Sequence, residues 1–480
     1  MLKNNEGELV EYDKPLEAHE TNIPGLVWYD LTVRPDDRGS FVEKWNRERM
    51  GAIGLPDFGP VQQNVSLNRY GATRGIHAEP WDKYVSVMTG EVFGAWVDLR
   101  EGPTFGQVFT MKIDNSKAVF VPRGVGNGFQ SLYKEGEAAY SYLVNSHWSQ
   151  DAKSLYTYLN LADPTAAISW PIPLDQVGEG LISDDDHTHP LLADVTPMKP
   201  RKTLITGANG QLGRALRKEF PDAEFVTRDE FDITKPETWG DRNWRQYSTI
   251  INTAAYTKVD LAETPEGRIE AWQANAHAVQ ALAHVAIENR LTLVHISSDY
   301  VFDGSQEEHD ENEPVSPLSV YGQSKAAGDI AAATVPNHYI IRTSMVVGDG
   351  GNFVRAVAKK AELDEPSPGV GDQVGRLTFA TDLAKAIRHL LDVRPPAGIY
   401  NVTNDGEPVT WAQAAAKIFE LTGHSPNLVV PVSTEEYFAD KNPVAPRPLQ
   451  STLKLDKIKG AGFAPRRWDT ALREYIDRRW

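Results

Sequence analysis

The sequence predicts two domains of different fold class, an all-β domain followed by a doubly wound α/β domain. Its 480 residues exceed what a single core usually holds. Residues 24–172 alternate strand-length apolar runs with turns, a pattern typical of an antiparallel sandwich or barrel. From Lys202 onward, short apolar runs alternate with helical segments, which indicates a parallel sheet with helices on both faces.

The two patterns meet in a polar, proline-containing stretch, residues 183–202. Polar residues and prolines between two regular patterns mark a loop or a linker. We therefore expect a first domain over residues 1–194, a linker over 195–200 and a second domain over 201–480.

Composition and charge exclude several classes of function. The chain has 49 basic and 66 acidic residues, a net charge of −17, which disfavours binding to nucleic acid or anionic membranes while leaving room for a local phosphate pocket. It has no cysteine, so disulfides, iron–sulfur clusters and thiol nucleophiles are ruled out. No stretch approaches the roughly 18 apolar residues of a membrane span, and the start lacks an apolar signal core. We expect a cytoplasmic protein with neither nucleic acid nor membrane as a partner.

A glycine-rich turn opens the second domain. Gly207, Gly210 and Gly213 follow the apolar run TLIT and precede a helical pattern. Glycines at these places allow a tight turn and bring backbone N–H groups close to a pyrophosphate at the helix N-terminus. The next apolar run ends at Arg228, which suits the 2′-phosphate of NADPH, but Asp229 follows it directly. NADPH is the expected cofactor, with NADH as the alternative.

Three polar side chains of the second domain suit carbonyl reduction. Tyr321 and Lys325 are four residues apart, so they share one face of a helix. Ser298 follows the apolar run LTLVHI, where the carboxyl end of a parallel strand places an active site. A hydroxyl there can bind a substrate carbonyl, and a nearby ammonium lowers the pKa of a phenol. We therefore predict a Ser298–Tyr321–Lys325 triad with Tyr321 as the proton donor.

The motifs GANGQLGRAL, NTAAYTKVDLAE, ISSDYVFDG, YGQSKAAGD and RPLQSTL make residues 201–480 closely resemble dTDP-4-dehydrorhamnose reductase. That family is a Rossmann-fold extended short-chain dehydrogenase/reductase. The resemblance implies reduction of the C4 ketone of dTDP-4-dehydro-L-rhamnose with NAD(P)H. Beyond the three glycines, Arg228, Tyr321 and Lys325, it implies these cofactor contacts: Asn209, Gln211, Leu212, Asp232, Ile233, Ala254, Ala255 and Tyr256.

Departures from the family pattern refine this prediction. Related nucleotide-sugar dehydratases carry an Asp-Glu pair where this chain has Asp299-Tyr300, so simple reduction is favoured. Ser298 replaces the usual threonine and keeps its hydroxyl, whereas Met345 replaces a usual tryptophan that contacts substrate. Some relatives bind Mg²⁺ through a glutamate at the position of Ala215, so no metal is expected here.

The first domain offers a candidate general base. His77 precedes an apolar run, and Asp163 lies far downstream. A histidine held by a carboxylate is a competent base at neutral pH. Metal sites in small barrels need several histidines and a carboxylate, so this pattern predicts a metal-free acid–base site.

The motifs DRGSFVE, QQN, RGIH, GEVFGAWVDLREGPTFG, VPRGVGNGFQ and AAYSY make residues 20–193 resemble dTDP-4-dehydrorhamnose 3,5-epimerase, a jelly-roll cupin. The resemblance implies that His77, paired with Asp163, removes the protons at C3 and C5. Lys83 would stabilise the enolate and Tyr140 would return a proton on the opposite face. The residues implied to hold the nucleotide and diphosphate are Arg38, Glu43, Gln62, Asn64 and Arg74.

Two mismatches with the epimerase pattern involve three positions. Asn127 stands where the family usually has a histidine, and it can still bind a sugar oxygen without carrying charge. Asn145 and Ser146 stand where a further tyrosine is expected. These changes leave open whether the domain acts at both carbons.

Taken together, the two resemblances predict a bifunctional enzyme that epimerises dTDP-4-dehydro-6-deoxy-D-glucose and then reduces the product. Two alternatives remain at this point. In the first alternative, the cupin half is only a nucleotide-sugar binding or dimerisation module. In the second, the chain serves a related deoxysugar pathway. Both families commonly form dimers, so the resemblance also implies a homo-oligomer.

Overall fold

A computed structural model of the chain describes residues 12–240 and 242–478. The chain divides into two compact units, residues 1–200 and 201–480. Within the described residues, no helix has the length and apolar character needed to cross a membrane. The two units have different architectures and are taken in turn.

The first unit is built almost entirely from β-strands. Its two short helices are α1 (Arg47–Ala52) and α2 (Asp184–Thr188). Its strands are β1 (Glu17–Glu20), β2 (Val27–Asp30), β3 (Val33–Asp36), β4 (Gly39–Val42), β5 (Gln62–Asn68), β6 (Thr73–Ala78), β7 (Lys83–Thr89), β8 (Val92–Asp98), β9 (Val108–Ile113), β10 (Lys117–Val121), β11 (Val125–Ser131), β12 (Ala138–Val144) and β13 (Thr157–Tyr158).

Eleven of these strands form two antiparallel sheets that pack face to face, and β3 and β4 form a separate two-stranded hairpin. One has the strand order β1-β2-β10-β7-β12-β5, and the other has the order β13-β6-β11-β8-β9. Val85 and Val119 of the first sheet share a buried apolar cluster with Trp96 and Phe129 of the second. Burial of alternate residues on the inner faces stabilises the sandwich. The predicted all-β jelly-roll fold is confirmed for this unit.

The segment 195–200, predicted as a linker, packs on the first unit. Val195 and Met198 belong to a buried apolar cluster of that unit. The backbone N–H of Met198 donates to Leu99 O at 2.8 Å. The linker prediction is wrong for these residues, because their two apolar side chains bury on folding in spite of their polar and proline neighbours.

The second unit alternates strands and helices. Its strands are β14 (Lys202–Thr206), β15 (Glu224–Val226), β16 (Tyr247–Asn252), β17 (Thr292–Ile296), β18 (His338–Arg342), β19 (Val346–Val347), β20 (Ser367–Val370), β21 (Val374–Gly375), β22 (Thr378–Phe379), β23 (Gly398–Asn401), β24 (Val409–Thr410) and β25 (Val429–Val432). Its helices are α3 (Gln211–Glu219), α4 (Pro265–Trp272), α5 (Ala278–Asn289), α6 (Val320–Ala332), α7 (Phe353–Ala361), α8 (Ala380–Val393), α9 (Trp411–Leu421), α10 (Thr434–Phe438), α11 (Asp456–Gly460) and α12 (Trp468–Asp477).

Six of these strands form one parallel sheet in the order β15-β14-β16-β17-β18-β23. Neighbouring residues of a strand face opposite sides, so Leu204 packs with Leu282 of α5 while Ile205 packs with Leu216 of α3 and Ile387 of α8. Helices therefore cover both faces, and the predicted Rossmann-type α/β fold is confirmed. The carboxyl ends of β14, β16 and β17 meet at one edge, where such folds bind ligands.

Candidate functional sites

The first candidate site lies between the two sheets of the first unit. His77 on β6 is paired across the ladder with Asn127 on β11. The opposite sheet contributes Lys83 at the start of β7 and Tyr140 on β12. The Tyr140 hydroxyl donates to Asn127 Oδ1 at 3.0 Å, so a hydrogen bond joins the two sheets beside His77. The fold thus brings four of the predicted residues into one cleft.

The carboxylate that holds His77 is Asp186, and the prediction of Asp163 in that role is wrong. His77 Nε2 lies 2.7 Å from Asp186 Oδ1. Asp163 instead accepts backbone N–H groups from Ala166 at 2.6 Å and from Leu192 at 2.7 Å. Asp163 therefore has a structural role, because its hydrogen bonds hold a loop against the rest of the unit. This role follows from three-dimensional contacts and is not evident from chain order.

The charge state of this pair follows from its surroundings. Burial raises the pKa of the Asp186 carboxyl, but hydrogen bonds from His77 and Ser183 outweigh it, so the pKa lies below its ordinary value. The Asp186 carboxylate is ionised at neutral pH and accepts a hydrogen bond from the Nε2–H group of His77. With this contact made through Nε2, Nδ1 is the ring nitrogen of His77 that could act as a base.

A second carboxylate that the sequence reading missed holds Lys83. Glu79 Oε1 lies 2.6 Å from Lys83 Nζ, and the two side chains are only 10 % and 7 % exposed. Lys83 also lies over the ring of Tyr142, 5.1 Å from its centroid. An ammonium fixed in this way supplies a preplaced positive charge inside the cleft. Glu79 follows His77 by two residues, which is the only signal that marks it.

Tyr140 is suited to donate a proton. Its ring is fully buried and stacks on Phe129 with the centroids 4.0 Å apart. Burial raises the pKa of its hydroxyl far above the ordinary value, although the hydrogen bond with Asn127 opposes this effect. The phenol is therefore protonated across the neutral range.

The predicted nucleotide-binding residues of this unit lie in two places. Gln62 and Asn64 share one face of β5 and are hydrogen-bonded to each other at 2.9 Å, and Arg74 on β6 donates to Asn68 at 2.8 Å. Arg38 and Glu43 belong to the separate β3–β4 hairpin region, where Arg38 pairs with Asp36 at 2.8 Å and Glu43 pairs with Arg49. The described contacts do not join these two groups.

The second candidate site begins at the glycine-rich turn between β14 and α3. Gly207 has φ +69°, and a Cβ there would lie 2.6 Å from Thr253 Oγ1. A Cβ on Gly213 would lie 2.3 Å from Gly207 O. The turn therefore requires glycine, and it leaves the backbone N–H groups at the start of α3 open to a phosphate group. A dinucleotide fits this cradle.

A cavity of about 880 Å³ extends from this turn to the ends of β16 and β17. It contains the whole predicted triad and all the predicted cofactor residues except Asn209 and Gly213. The predicted residues that line it are Gly207, Gly210, Gln211, Leu212, Arg228, Asp232, Ile233, Ala254, Ala255, Tyr256, Ser298, Tyr321 and Lys325. Such a volume is ordinary for a cofactor together with part of a substrate.

The local folding of the chain positions the triad. Ser298 caps a short 3₁₀ turn by accepting from Tyr300 N at 3.2 Å, and its hydroxyl donates to Asp299 Oδ1 at 2.9 Å. Lys325 on α6 donates to Ile296 O at 2.6 Å and is almost fully buried. Burial lowers the pKa of Lys325 to about 8, opposed by the charge of Asp329.

The effect expected of Lys325 on Tyr321 is not observed. Burial, followed by the charge of Asp299, raises the pKa of Tyr321 to about 12, against a lowering by the Ser298 hydroxyl. The phenol stays protonated at neutral pH, which still suits a proton donor. Because Lys325 points at the Ile296 carbonyl, its stabilisation of a phenolate is weaker than the four-residue spacing predicts.

Asp299 is a further group that the sequence reading did not include among the site residues. Burial raises the pKa of its carboxyl to about 6, while hydrogen bonds from Ser298 and Ser451 act in the other direction. Its position after the strand LTLVHI is the signal that could have identified it. Arg447 is a second residue that the sequence reading did not include among the site residues. It forms an ion pair with Asp260 at 2.7 Å and lies near Tyr300.

The raised pKa of Asp299 gives a stability prediction. The unfolded chain loses this proton near pH 3.8 and the folded chain near pH 6, so the stability cost of this group grows between these two pH values and is constant above about pH 6. The cost is about 3 kcal/mol at one pKa unit per 1.36 kcal/mol. We expect Asp299→Asn to gain stability relative to the parent chain by up to about that amount between pH 4 and pH 7.

Denaturant unfolding at pH 4 and at pH 7, followed through the unfolding transition of the second unit, measures this gain in stability. Asp222→Asn, at an exposed position, is the matched control. A difference between Asp299→Asn and the parent chain that stays constant from pH 4 to pH 7 would contradict the assignment.

Asn275 connects the cofactor side of the cavity to helix α6. It lies in a π-helical turn between α4 and α5, accepts from Tyr256 N at 2.9 Å and donates to Tyr256 O at 3.1 Å. It also donates to Ser324 Oγ at 3.0 Å, next to Lys325. π-helical turns often occur at functional sites, but nothing in the sequence pattern marks this one.

Known proteins resemble each unit over almost its whole length. Residues 20–194 match the family model described as dTDP-4-dehydrorhamnose 3,5-epimerase, and residues 201–479 match the model described as RmlD substrate binding domain. A protein described as an RmlC homolog from Streptococcus pyogenes serotype M6 is 50 % identical over 196 residues, covering 40 % of this chain and 96 % of that protein.

Two relatives match the second unit. A dTDP-4-dehydrorhamnose reductase from Aggregatibacter actinomycetemcomitans is 37 % identical over 289 residues, covering 57 % of this chain and 97 % of that protein. A crystal structure of dTDP-4-dehydrorhamnose reductase from Bacillus anthracis strain Ames, in complex with NADP, is 32 % identical with a TM-score of 0.53, covering 58 % of this chain and 99 % of that one.

The folds and candidate sites define a two-unit protein, a jelly roll with candidate acid–base residues followed by a dinucleotide-type α/β unit whose cavity contains Ser298, Tyr321 and Lys325. The chain belongs to the dTDP-4-dehydrorhamnose 3,5-epimerase family over its first unit and to the RmlD substrate binding domain family over its second.

Proposed function

We propose that this chain catalyses two consecutive steps of dTDP-L-rhamnose formation. The first unit epimerises dTDP-4-dehydro-6-deoxy-D-glucose at C3 and C5, and the second reduces the C4 ketone of the product. The observation that carries this proposal is the presence in one chain of both sites, each within a unit that matches its family almost end to end. The product of the first site is the substrate of the second.

In the first unit, His77 removes a proton from the carbon next to the ketone, and Asp186 balances the charge that His77 gains. The enolate that forms carries its negative charge on the C4 oxygen, which Lys83 stabilises from a fixed position. Tyr140 then donates its hydroxyl proton to the opposite face of the same carbon. The retained base, cation and donor make a purely binding or dimerising role for this unit the weaker explanation.

In the second unit, a bound nicotinamide cofactor supplies the hydride for C4. The glycine-rich turn and the start of α3 hold its diphosphate, and Lys325 is within the same cavity. Tyr321 donates its proton to the C4 oxygen, and the Ser298 hydroxyl, turned from Asp299 Oδ1 toward the substrate, donates a hydrogen bond to that oxygen. The NADP-bound structure of the Bacillus anthracis relative supports NADPH as the cofactor.

The product decides the proposed function as a whole. The full chain is supplied with dTDP-4-dehydro-6-deoxy-D-glucose and NADPH, and NMR identifies the sugar that forms. We expect dTDP-L-rhamnose. A reduced sugar with unchanged configuration at C3 or C5 would limit the first unit to one carbon or to binding, and would point to a related deoxysugar pathway.

Arg228 is proposed to select NADPH over NADH. Its side chain lines the cavity and is 81 % exposed, and its ion pair with Asp232, at 3.5 Å, uses Nε, so the terminal nitrogens are able to meet a 2′-phosphate. A hydrogen bond to a charged group contributes about 1.5–3 kcal/mol. We therefore expect Arg228→Ala to lower kcat/KM for NADPH by about 10- to 100-fold.

The kcat/KM for NADH is the internal control, because NADH lacks the 2′-phosphate, and we expect it to change by less than about threefold. Arg217→Ala, on α3 and outside the cavity-lining set, is the matched variant. An equal loss with both cofactors would contradict this role for Arg228.

The chain is also proposed to form a homodimer. The outer face of the edge strand β5 exposes Val65 and Leu67 at 57 % and 60 %, and Phe41 on the β3–β4 hairpin is 67 % exposed. Exposed apolar patches of this kind mark interfaces. Light scattering coupled to size exclusion tests this proposal, and a mass of 53.3 kDa across the concentration range would contradict it.

A further inference from the structure

Three metal-ligating side chains converge in the first unit. One imidazole nitrogen each from His77 and His189 and one oxygen of Asp186 all lie within 4.8 Å of one another. His77 Nε2 is 2.7 Å from Asp186 Oδ1, and His189 Nδ1 is 3.9 Å from the same oxygen. His189 has no role in the proposed epimerisation, so its place in this cluster needs a separate explanation.

The position of His189 is fixed by its neighbours. Its ring stacks on Tyr158 with the centroids 4.6 Å apart and meets the His77 ring edge-on at 5.3 Å. The side chain is 11 % exposed. Its Nδ1 is buried and has no hydrogen-bond partner among the residues that the structure describes. A buried polar nitrogen without a hydrogen-bond partner is uncommon, and a neutral imidazole nitrogen of this kind can coordinate a cation.

Two imidazoles and one carboxylate form a donor set that suits Zn²⁺ and similar divalent transition ions. Ligand atoms about 2.0–2.2 Å from one tetrahedral ion are roughly 3.3–3.5 Å apart. The observed separations of 2.7 and 3.9 Å from Asp186 Oδ1 lie on either side of that spacing. The third separation, between the imidazole nitrogens of His77 and His189, is at most 4.8 Å, so side-chain rotations that draw the three groups toward one ion are compatible with the observed geometry.

We propose that His77, Asp186 and His189 form a binding site for a divalent transition cation, and that the bound cation inhibits the first unit. The cation takes both the carboxylate and the His77 nitrogen that contacts it. The proton of that nitrogen then leaves or moves to the other ring nitrogen, and His77 loses the anionic partner that supports a base. The prediction of a metal-free reaction, which rested on a single histidine, stays as it is, because the proposed cation inhibits the unit and takes no part in catalysis.

Cation binding is tested on the full chain with Co²⁺, whose absorption spectrum reports coordination geometry, and with Zn²⁺ by calorimetry. We expect one tetrahedral Co²⁺ per chain. His189→Asn should weaken binding by at least about tenfold, the loss typical of a disturbed metal site. His187→Asn, the same substitution at an exposed histidine two residues away, should leave the affinity unchanged. Equal affinities in the parent chain and His189→Asn would overturn the site.

The inhibitory consequence rests on the proposed epimerase function, whereas cation binding does not. With Zn²⁺ present, deuterium exchange at C3 and C5 should fall at least tenfold and recover on addition of a chelator. Reduction of pre-epimerised substrate by the second unit should be unaffected. In His189→Asn the exchange should persist at zinc concentrations that silence the parent chain.

The outcomes separate the two ideas. Tight binding without loss of exchange would overturn the inhibition. Absence of exchange in metal-free protein would contradict the proposed function, while the cobalt spectrum would still decide whether the site exists.

Discussion

Asp186→Asn is expected to lower deuterium exchange into the substrate at C3 and C5 by about 10²- to 10⁴-fold, the range that general acid–base catalysis contributes. Asparagine matches the shape of aspartate but carries no charge, and its amide can present either its oxygen or its NH₂ group to His77 Nε2, which lies 2.7 Å from Oδ1 in the parent chain. The imidazolium that forms during proton abstraction then lacks its counter-charge, and the ring loses the contact that fixes its tautomer.

Asp163→Asn is the matched variant, because it makes the same change at the carboxylate that the sequence alone suggested. Its oxygens accept from the backbone N–H groups of Thr165, Ala166 and Leu192. We expect this variant to lose stability, measured by thermal unfolding, and to keep its exchange rate per folded molecule. A larger loss of exchange in Asp163→Asn than in Asp186→Asn would reverse the assignment.

Tyr321→Phe is expected to lower reduction of pre-epimerised substrate by about 10²- to 10⁴-fold. The substitution removes only the hydroxyl, which is the proton source for the C4 oxygen and whose pKa of about 12 keeps it protonated at neutral pH. NADPH affinity, followed by fluorescence titration, should remain within about threefold, because the glycine-rich turn and the start of α3 are untouched.

Tyr300→Phe provides the comparison. Its ring meets that of Tyr321 edge-on, with the centroids 6.0 Å apart, and its hydroxyl interacts with Arg447. Removal of this hydroxyl should lower reduction by less than about tenfold, because it donates no proton in the proposed reaction. Deuterium exchange by the first unit should be unchanged in both variants. Retention of more than a tenth of the activity in Tyr321→Phe would rule out the phenol as the donor.

The sequence predicted the folds because both domains have strong local patterns. Alternating apolar runs identify the antiparallel strands, and the glycine-rich turn between a strand and a helix identifies the dinucleotide fold. The triad of Ser298, Tyr321 and Lys325 was accessible for the same reason, since helical spacing and the end of a strand are local properties. The cavity around the glycine-rich turn contains all three.

The partners of these residues were not accessible, because they come from distant parts of the chain. Asp186 reaches His77 across 109 positions, and chain order offers no means of choosing it over Asp163. The link from Asn275 to Ser324 spans 49 positions. The prediction that residues 195–200 form a linker was wrong for a related reason. Val195 and Met198 are buried in a cluster with residues that precede them by nearly a hundred positions.

The hydrogen bond between Tyr140 and Asn127 has a consequence for the conditions under which the first unit works. The amide of Asn127 has no proton to gain or lose in the physiological range, whereas a histidine in its place changes charge between pH 5 and 8. The hydroxyl of Tyr140 therefore meets the same neutral acceptor in acidified and in neutral surroundings. In the proposed epimerisation, the contact that holds the second proton donor therefore does not change its charge over that pH range.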